Sequence, residues 1–222
     1  MCHADKRAQH ELDRPESHRV FVALKFAPEV LQQLADMSAS LEGSEVRRVA
    51  AGDIYLTLVP PWNESAIFSA VLKLSRVAEH HDSFELHFKH VGYGADPRHP
   101  RFLWVECLAS SELGELRAAL LTAFERSEQR PFRPHVTLAR IRERGGRIAR
   151  KHPIDRDLVL SQRITSVELM RSPPPGAIGY TVLASVPLRG RTEPQSKLIC
   201  INAVGAQKEY ARERCRCRMP KS

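Results

Sequence analysis

The alternation of apolar and polar positions sorts most of the chain into short strands separated by three helices. Arg19-Val20-Phe21-Val22-Ala23-Leu24 reads as a first strand. Val30, Leu31, Leu34 and Met37 then recur at helical spacing. Pro28 stands at the helix start, where its missing N–H costs nothing. Ile54-Tyr55-Leu56-Thr57-Leu58-Val59 is the next strand, and Pro60-Pro61 is expected to end it. A second helix spans about Glu64 to His80, with Ile67, Phe68, Val71, Leu72 and Val77 on or near its inner face.

Phe84, Leu86 and Phe88 alternate with polar residues, and Arg101–Leu108 forms a more apolar strand. The glycines and prolines of Gly92–Pro100 predict a loop between them. The third helix is the clearest, because Leu113, Leu116, Leu120, Leu121 and Phe124 share one helical face. A strand follows at Pro134–Ile141, then a basic loop around Gly145-Gly146. Further strands come at about Leu158–Leu160, Ser166–Met170 and Tyr180–Pro187. Residues 1–17 lack apolar periodicity and read as a flexible lead. Residues 18–190 make one domain, and residues 191–222 read as a disordered basic tail.

Strands mixed with few helices, several of them hairpin neighbours, predict an α+β fold with antiparallel sheets. An internal echo refines this. Tyr55-Leu56-Thr57-Leu58 and His135-Val136-Thr137-Leu138 share a pattern 80 residues apart, each on a strand. Two similar lobes, helices outside, would set these strands against one another across a central cleft. Residues i and i+2 of a strand share a face. His135 and Thr137 are thus neighbours, as are Tyr55 and Thr57, while Leu56, Leu58, Val136 and Leu138 point into the core. Arg140, at i+5 from His135, falls on the opposite face of a regular strand and would act from its end.

Composition adds modest limits. At 42% hydrophobic and 27% charged residues the chain has the balance of a globular protein. No apolar run is long enough to span a bilayer, and Met1–Arg7 lacks a signal-peptide core, so a cytoplasmic protein without a membrane partner is expected. The net charge of +8 divides into −1 for residues 1–17 (3 basic, 4 acidic), +4 for 18–190 (23 and 19) and +5 for 191–222 (8 and 3). A basic total fits an anionic partner such as nucleic acid, although a basic tail alone also produces it. Of the five cysteines, Cys107 reads as a core hydrophobe. Cys2, Cys200, Cys215 and Cys217 form no disulfide framework, and Cys215-x-Cys217 lacks the further ligands a metal needs.

Phe132-Arg133-Pro134-His135-Val136-Thr137-Leu138-Ala139-Arg140, with Leu56-Thr57-Leu58 and the opening Val20–Leu24, resembles the 2H phosphoesterase superfamily. Within it, the chain is similar to the bacterial RNA 2′,3′-cyclic phosphodiesterases, historically called 2′-5′ RNA ligases. That resemblance implies a bilobal fold, a site between the lobes, and no metal or nucleotide cofactor. It implies action on RNA ends or small nucleotides that carry a 2′,3′-cyclic phosphate, and a monomer is expected. By the same resemblance His135 is the general base. Thr57, Thr137 and Arg140 hold the phosphoryl oxygens, and the general acid belongs at Tyr55.

The chemistry suits these groups. Water attacking phosphorus needs a base and the departing ribose oxygen needs an acid, and an imidazole serves either role near neutral pH. The chain departs from the family at one point, with Tyr55 in place of a second histidine. A phenol titrates near 10, against about 6.5 for imidazole, and losing a general acid typically costs about 10²–10⁴ in rate. Two alternatives therefore stand beside cyclic-phosphate hydrolysis. One is a module that binds RNA ends without turnover, and the other is 2′-5′ ligation, the same chemistry in reverse. Of the two tryptophans, Trp62 is expected nearer the cleft mouth than Trp104.

Overall fold

The computed structural model describes residues 17–94, 96 and 99–190. The polar lead up to residue 16, the basic tail and Cys2, Cys200, Cys215 and Cys217 lie outside them. In chain order come β1 (His18–Leu24), α1 (Pro28–Asp36), β2 (Val46–Arg48), a 3₁₀ turn (Ala51–Asp53) and β3 (Leu56–Glu64). They are followed by α2 (Ile67–Ala78), β4 (Phe84–Gly94), β5 (Phe102–Cys107) and α3 (Ser111–Ala123). The last elements are β6 (His135–Ile141), α4 (Gly145–Lys151), β7 (Arg156–Ile164), β8 (Ser166–Arg171) and β9 (Thr181–Pro187).

The strands run β7-β4-β5-β6-β3-β1-β8-β9, with β2 added on β6. The α+β class and the pseudo-symmetry follow from this order. Each half is four antiparallel strands, β3-β1-β8-β9 or β6-β5-β4-β7, and each has an echo motif on its inner strand. The strand ladder between the halves is a single residue pair, Leu56 opposite Val136. Beyond that pair the inner strands separate, and the cleft lies where they part.

Helices α2 and α3 pack on one another; α2 also covers β8 and β9, and α3 covers β3 and β4. On α3, Leu113, Leu116 and Leu120 are fully buried, and the Ser110 side chain caps the helix by accepting from the Leu113 N–H. Burying each such leucine contributes about 1.5–3 kcal/mol. The alternation along β1 serves two cores. Val20, Val22 and Leu24 join the main core, while Phe21 and Ala23 join a small second one with Met170, against which Tyr55 and Tyr180 pack.

Several local expectations need correction. Pro60-Pro61 do not end β3, which runs on to Glu64. Its β6 edge is unpaired beyond Leu56, and the register to β1 shifts between Val20 and Val22, so the prolines sit at a bulge where no ladder N–H is needed. The strand also begins at Leu56, leaving Tyr55 just before it. On α2 the buried stripe is Ala70, Leu74 and Ala78, flanked by Ile67, Val71 and Val77. Phe68 is 77% exposed and Leu72 is also exposed, because both point away from the face that carries Ala70, Leu74 and Ala78.

Gly92 and Gly94 belong to β4 instead of a loop. A Cβ at Gly94 would overlap the Trp104 indole, which lies across that backbone. Gly145-Gly146 opens a fourth helix, α4, where Gly145 is required because a Cβ would strike the Pro100 carbonyl. No described helix is long and apolar enough to cross a membrane.

Candidate active site

A cavity of about 370 Å³ opens between β3 and β6. Tyr55, Thr57, His135, Thr137 and Arg140 all line it, so the five residues singled out from the sequence come together. Both threonines are half-buried, and their hydroxyls are free of protein partners among the described residues.

A repeated bulge explains how Arg140 joins them. Opposite β5, Thr137 faces Trp104 while Ala139 faces Leu103, so Leu138 is an extra residue in the ladder. The bulge reverses the alternation: Leu138 and Ala139 are both buried, and Arg140 returns to the His135–Thr137 face. The expectation that Arg140 lies on the opposite face assumed a regular strand and fails for this reason. The first motif repeats the device. Thr57 faces Ala23 and Val59 faces Val22, leaving Leu58 as the extra residue. Both halves thus carry a bulge one residue after the motif threonine.

The His135 Nδ1 lies 2.7 Å from the Arg133 carbonyl, which can only accept, so Nδ1 carries a proton and, in the neutral ring, the lone pair falls to Nε2. The Trp104 ring lies 4.6 Å from the His135 ring at 48°. This inverts the expectation for the tryptophans. Both indoles are buried, but Trp62 donates to Glu64 at 3.1 Å and packs on Phe124, away from the histidine. A second cavity of about 360 Å³ shares Thr57 and His135 and is walled by Trp104, Phe132, Arg130 and Arg133. The site is therefore open on two sides of the histidine.

Tyr55 faces the cavity but is tied to the first half. Its ring lies 4.9 Å from Phe21 and 5.0 Å from Tyr180. Burial pushes its phenol well above the ordinary tyrosine value, and a hydrogen bond to Tyr180 raises it further; the nearby Arg140 guanidinium opposes both. The turn before it is braced. Lys25 Nζ donates to the carbonyls of Gly52 and Ile54, and Asp53 accepts the Tyr180 N–H at 3.0 Å. Deeper on the same sheet face, Glu168 is 4% exposed and accepts from Ser166, Ser185 and the Lys25 N–H. Burial holds its carboxyl above the ordinary range.

Sequence reasoning missed Arg47 and Arg48. They line the cavity because β2, too short to stand out by periodicity, lies along β6 with Arg47 opposite Arg140 and Arg48 opposite Ala139. Of the basic residues around Gly145, Arg144 and Arg147 pair with Glu45 at 3.2 and 3.3 Å, tying α4 to the segment before β2.

The family is decided by a match of more than half of the chain. A family model described as the 2′-5′ RNA ligase superfamily matches residues 26–172. The chain belongs to that superfamily. TT0787 of Thermus thermophilus is similar in structure, with a TM-score of 0.64 and 24% identity over 78% of this chain and 100% of that one. E. coli LigT in complex with 3′-AMP gives a TM-score of 0.58 and 24% identity over 78% and 99% of the two chains. At that identity the two structures speak for the shared bilobal fold alone. No curated protein matches the chain. Membership of the superfamily makes this a 2H phosphoesterase-type protein whose second motif, His135-Val136-Thr137, keeps the family pattern and whose first carries Tyr55.

Proposed function

We propose that this protein hydrolyses 2′,3′-cyclic phosphate at RNA ends, without a metal, in the cleft between its halves. The observation that carries the proposal is the convergence of His135, Thr57, Thr137 and Arg140 on one cavity, with Nδ1 of His135 already committed to a carbonyl. In this reading Nε2 of His135 takes a proton from the attacking water. The two free threonine hydroxyls and the Arg140 guanidinium hold the phosphoryl oxygens as charge builds on them. Tyr55 occupies the position of the acid that protonates the departing ribose oxygen. The nucleotide complexes of LigT, with 3′-AMP, ATP and NADP+, support a nucleotide as the ligand here.

Incubating the full chain with a dinucleotide ending in 2′,3′-cyclic phosphate should yield a phosphomonoester. His135→Ala should lower the rate by about 10²–10⁴. Turnover that survives His135→Ala would defeat the assignment.

A second reading, binding of RNA ends without turnover, is favoured by one observation. Tyr55 is half-buried beside Tyr180, which holds its phenol proton more tightly than catalysis at neutral pH wants. Nucleotide binding with no turnover by the wild-type protein identifies that case.

A further inference from the structure

The cavity carries more positive charge than the proposed reaction uses. A 2′,3′-cyclic phosphodiester bears a single negative charge. The cavity presents Arg47, Arg48 and Arg140 against one carboxylate, Asp53, which already accepts the Tyr180 N–H. Arg47 and Arg140 stand directly opposite one another on β2 and β6. Like charges so placed destabilise a sheet unless something shares them.

Neither arginine has an ion-pair partner among the described residues. Arg140 is held instead over the Phe102 ring at 5.7 Å. The acid nearest Arg47 in sequence, Glu45, is occupied by Arg144 and Arg147. Arg48 is partly engaged, with Nη1 3.4 Å from the Ala39 carbonyl. Arg47 is thus an exposed cation, unpaired among the described residues, beside a site where Arg140 already serves the reacting phosphate.

We infer that Arg47, across from Arg140, binds a second, non-reacting phosphate of the substrate. This rests on the phosphodiesterase reading and narrows its substrate class. The preferred ligand carries a phosphate on the 5′ side of the terminal nucleoside, as an RNA end does and a free cyclic nucleoside monophosphate does not.

The test compares adenosine 3′-monophosphate with adenosine 3′,5′-bisphosphate by calorimetry on the full chain, with wild type, Arg47→Ala and Arg47→Lys. A charge-assisted contact predicts that wild type binds the bisphosphate about tenfold or more tightly than the monophosphate. The ratio should fall towards one in Arg47→Ala and recover in part in Arg47→Lys. Equal affinities in wild type, or an unchanged ratio in Arg47→Ala, overturn the second-phosphate site. If cyclic-phosphate turnover persists alongside either result, the phosphodiesterase reading survives. Failure of both nucleotides to bind overturns the second-phosphate site, and it overturns the phosphodiesterase reading as well only if cyclic-phosphate turnover is also absent.

Discussion

Replacing Tyr55 by phenylalanine and, separately, by histidine distinguishes a proton donor from a packing ring. Tyr55→Phe keeps the contacts to Phe21 and Tyr180 and loses only the hydroxyl bond, costing about 0.5–1.5 kcal/mol of stability. Tyr55→His gives up part of two ring contacts, each worth roughly 0.5–1.5 kcal/mol, so a loss of about 1–2 kcal/mol is expected and the fold should survive. If Tyr55 supplies the proton, Tyr55→Phe should lower kcat on a 2′,3′-cyclic dinucleotide by about 10²–10⁴. Tyr55→His installs an acid that titrates near neutrality, and kcat should rise at least about tenfold.

The pH profile carries the sign. Burial and Tyr180 push the Tyr55 phenol upward, so it stays protonated throughout about pH 5–8, and loss of the acid draws no descending limb there. The imidazole of the histidine variant loses its proton as pH rises, so its rate should fall on the alkaline side. The reasoning is refuted if both variants fold, the phenylalanine variant keeps the full rate and the histidine variant gains nothing. The departing oxygen would then take its proton elsewhere.

Two further predictions concern the scaffold. Gly94→Ala should push the Trp104 ring off the β4 backbone, costing about 1–3 kcal/mol in chemical denaturation and lowering kcat by moving the ring that packs on His135; unchanged stability and rate would show that the contact relaxes freely. Glu168 has a folded-state pKa above its ordinary value of 4.5, so its stabilising contribution is fully present below that value and is lost as pH rises through the folded one. Glu168→Gln, which cannot ionise, should therefore gain in Tm relative to wild type as pH rises above about 4.5, and a constant difference across pH would refute the argument.

The elements themselves were legible because each buries one face. Leu113, Leu116 and Leu120 repeat at helical spacing, and Val20, Val22 and Leu24 alternate, so periodicity was enough to place α3 and β1. The echo of Tyr55–Leu58 in His135–Leu138 was enough to anticipate two similar halves and to bring Tyr55, Thr57, His135 and Thr137 to one cleft. Local pattern failed where a long-range contact set the backbone. Gly94 looks like loop until Trp104 lies across it, and Pro60-Pro61 looks like a stop until β3 is seen to have a free edge.

The site shows the same division. The chemically apt side chains could be read off the chain: one imidazole, two hydroxyls and one phenol in repeated motifs, and one guanidinium at the end of the second. Folding settles which of them share a face and which groups surround them. The bulges at Leu58 and Leu138 arise only when β3 and β6 pair with β1 and β5, and the second of them turns Arg140 into the cleft. The placement of Arg47 opposite Arg140, and the burial that raises the Tyr55 phenol, depend on strands distant in sequence, and no local periodicity encodes them.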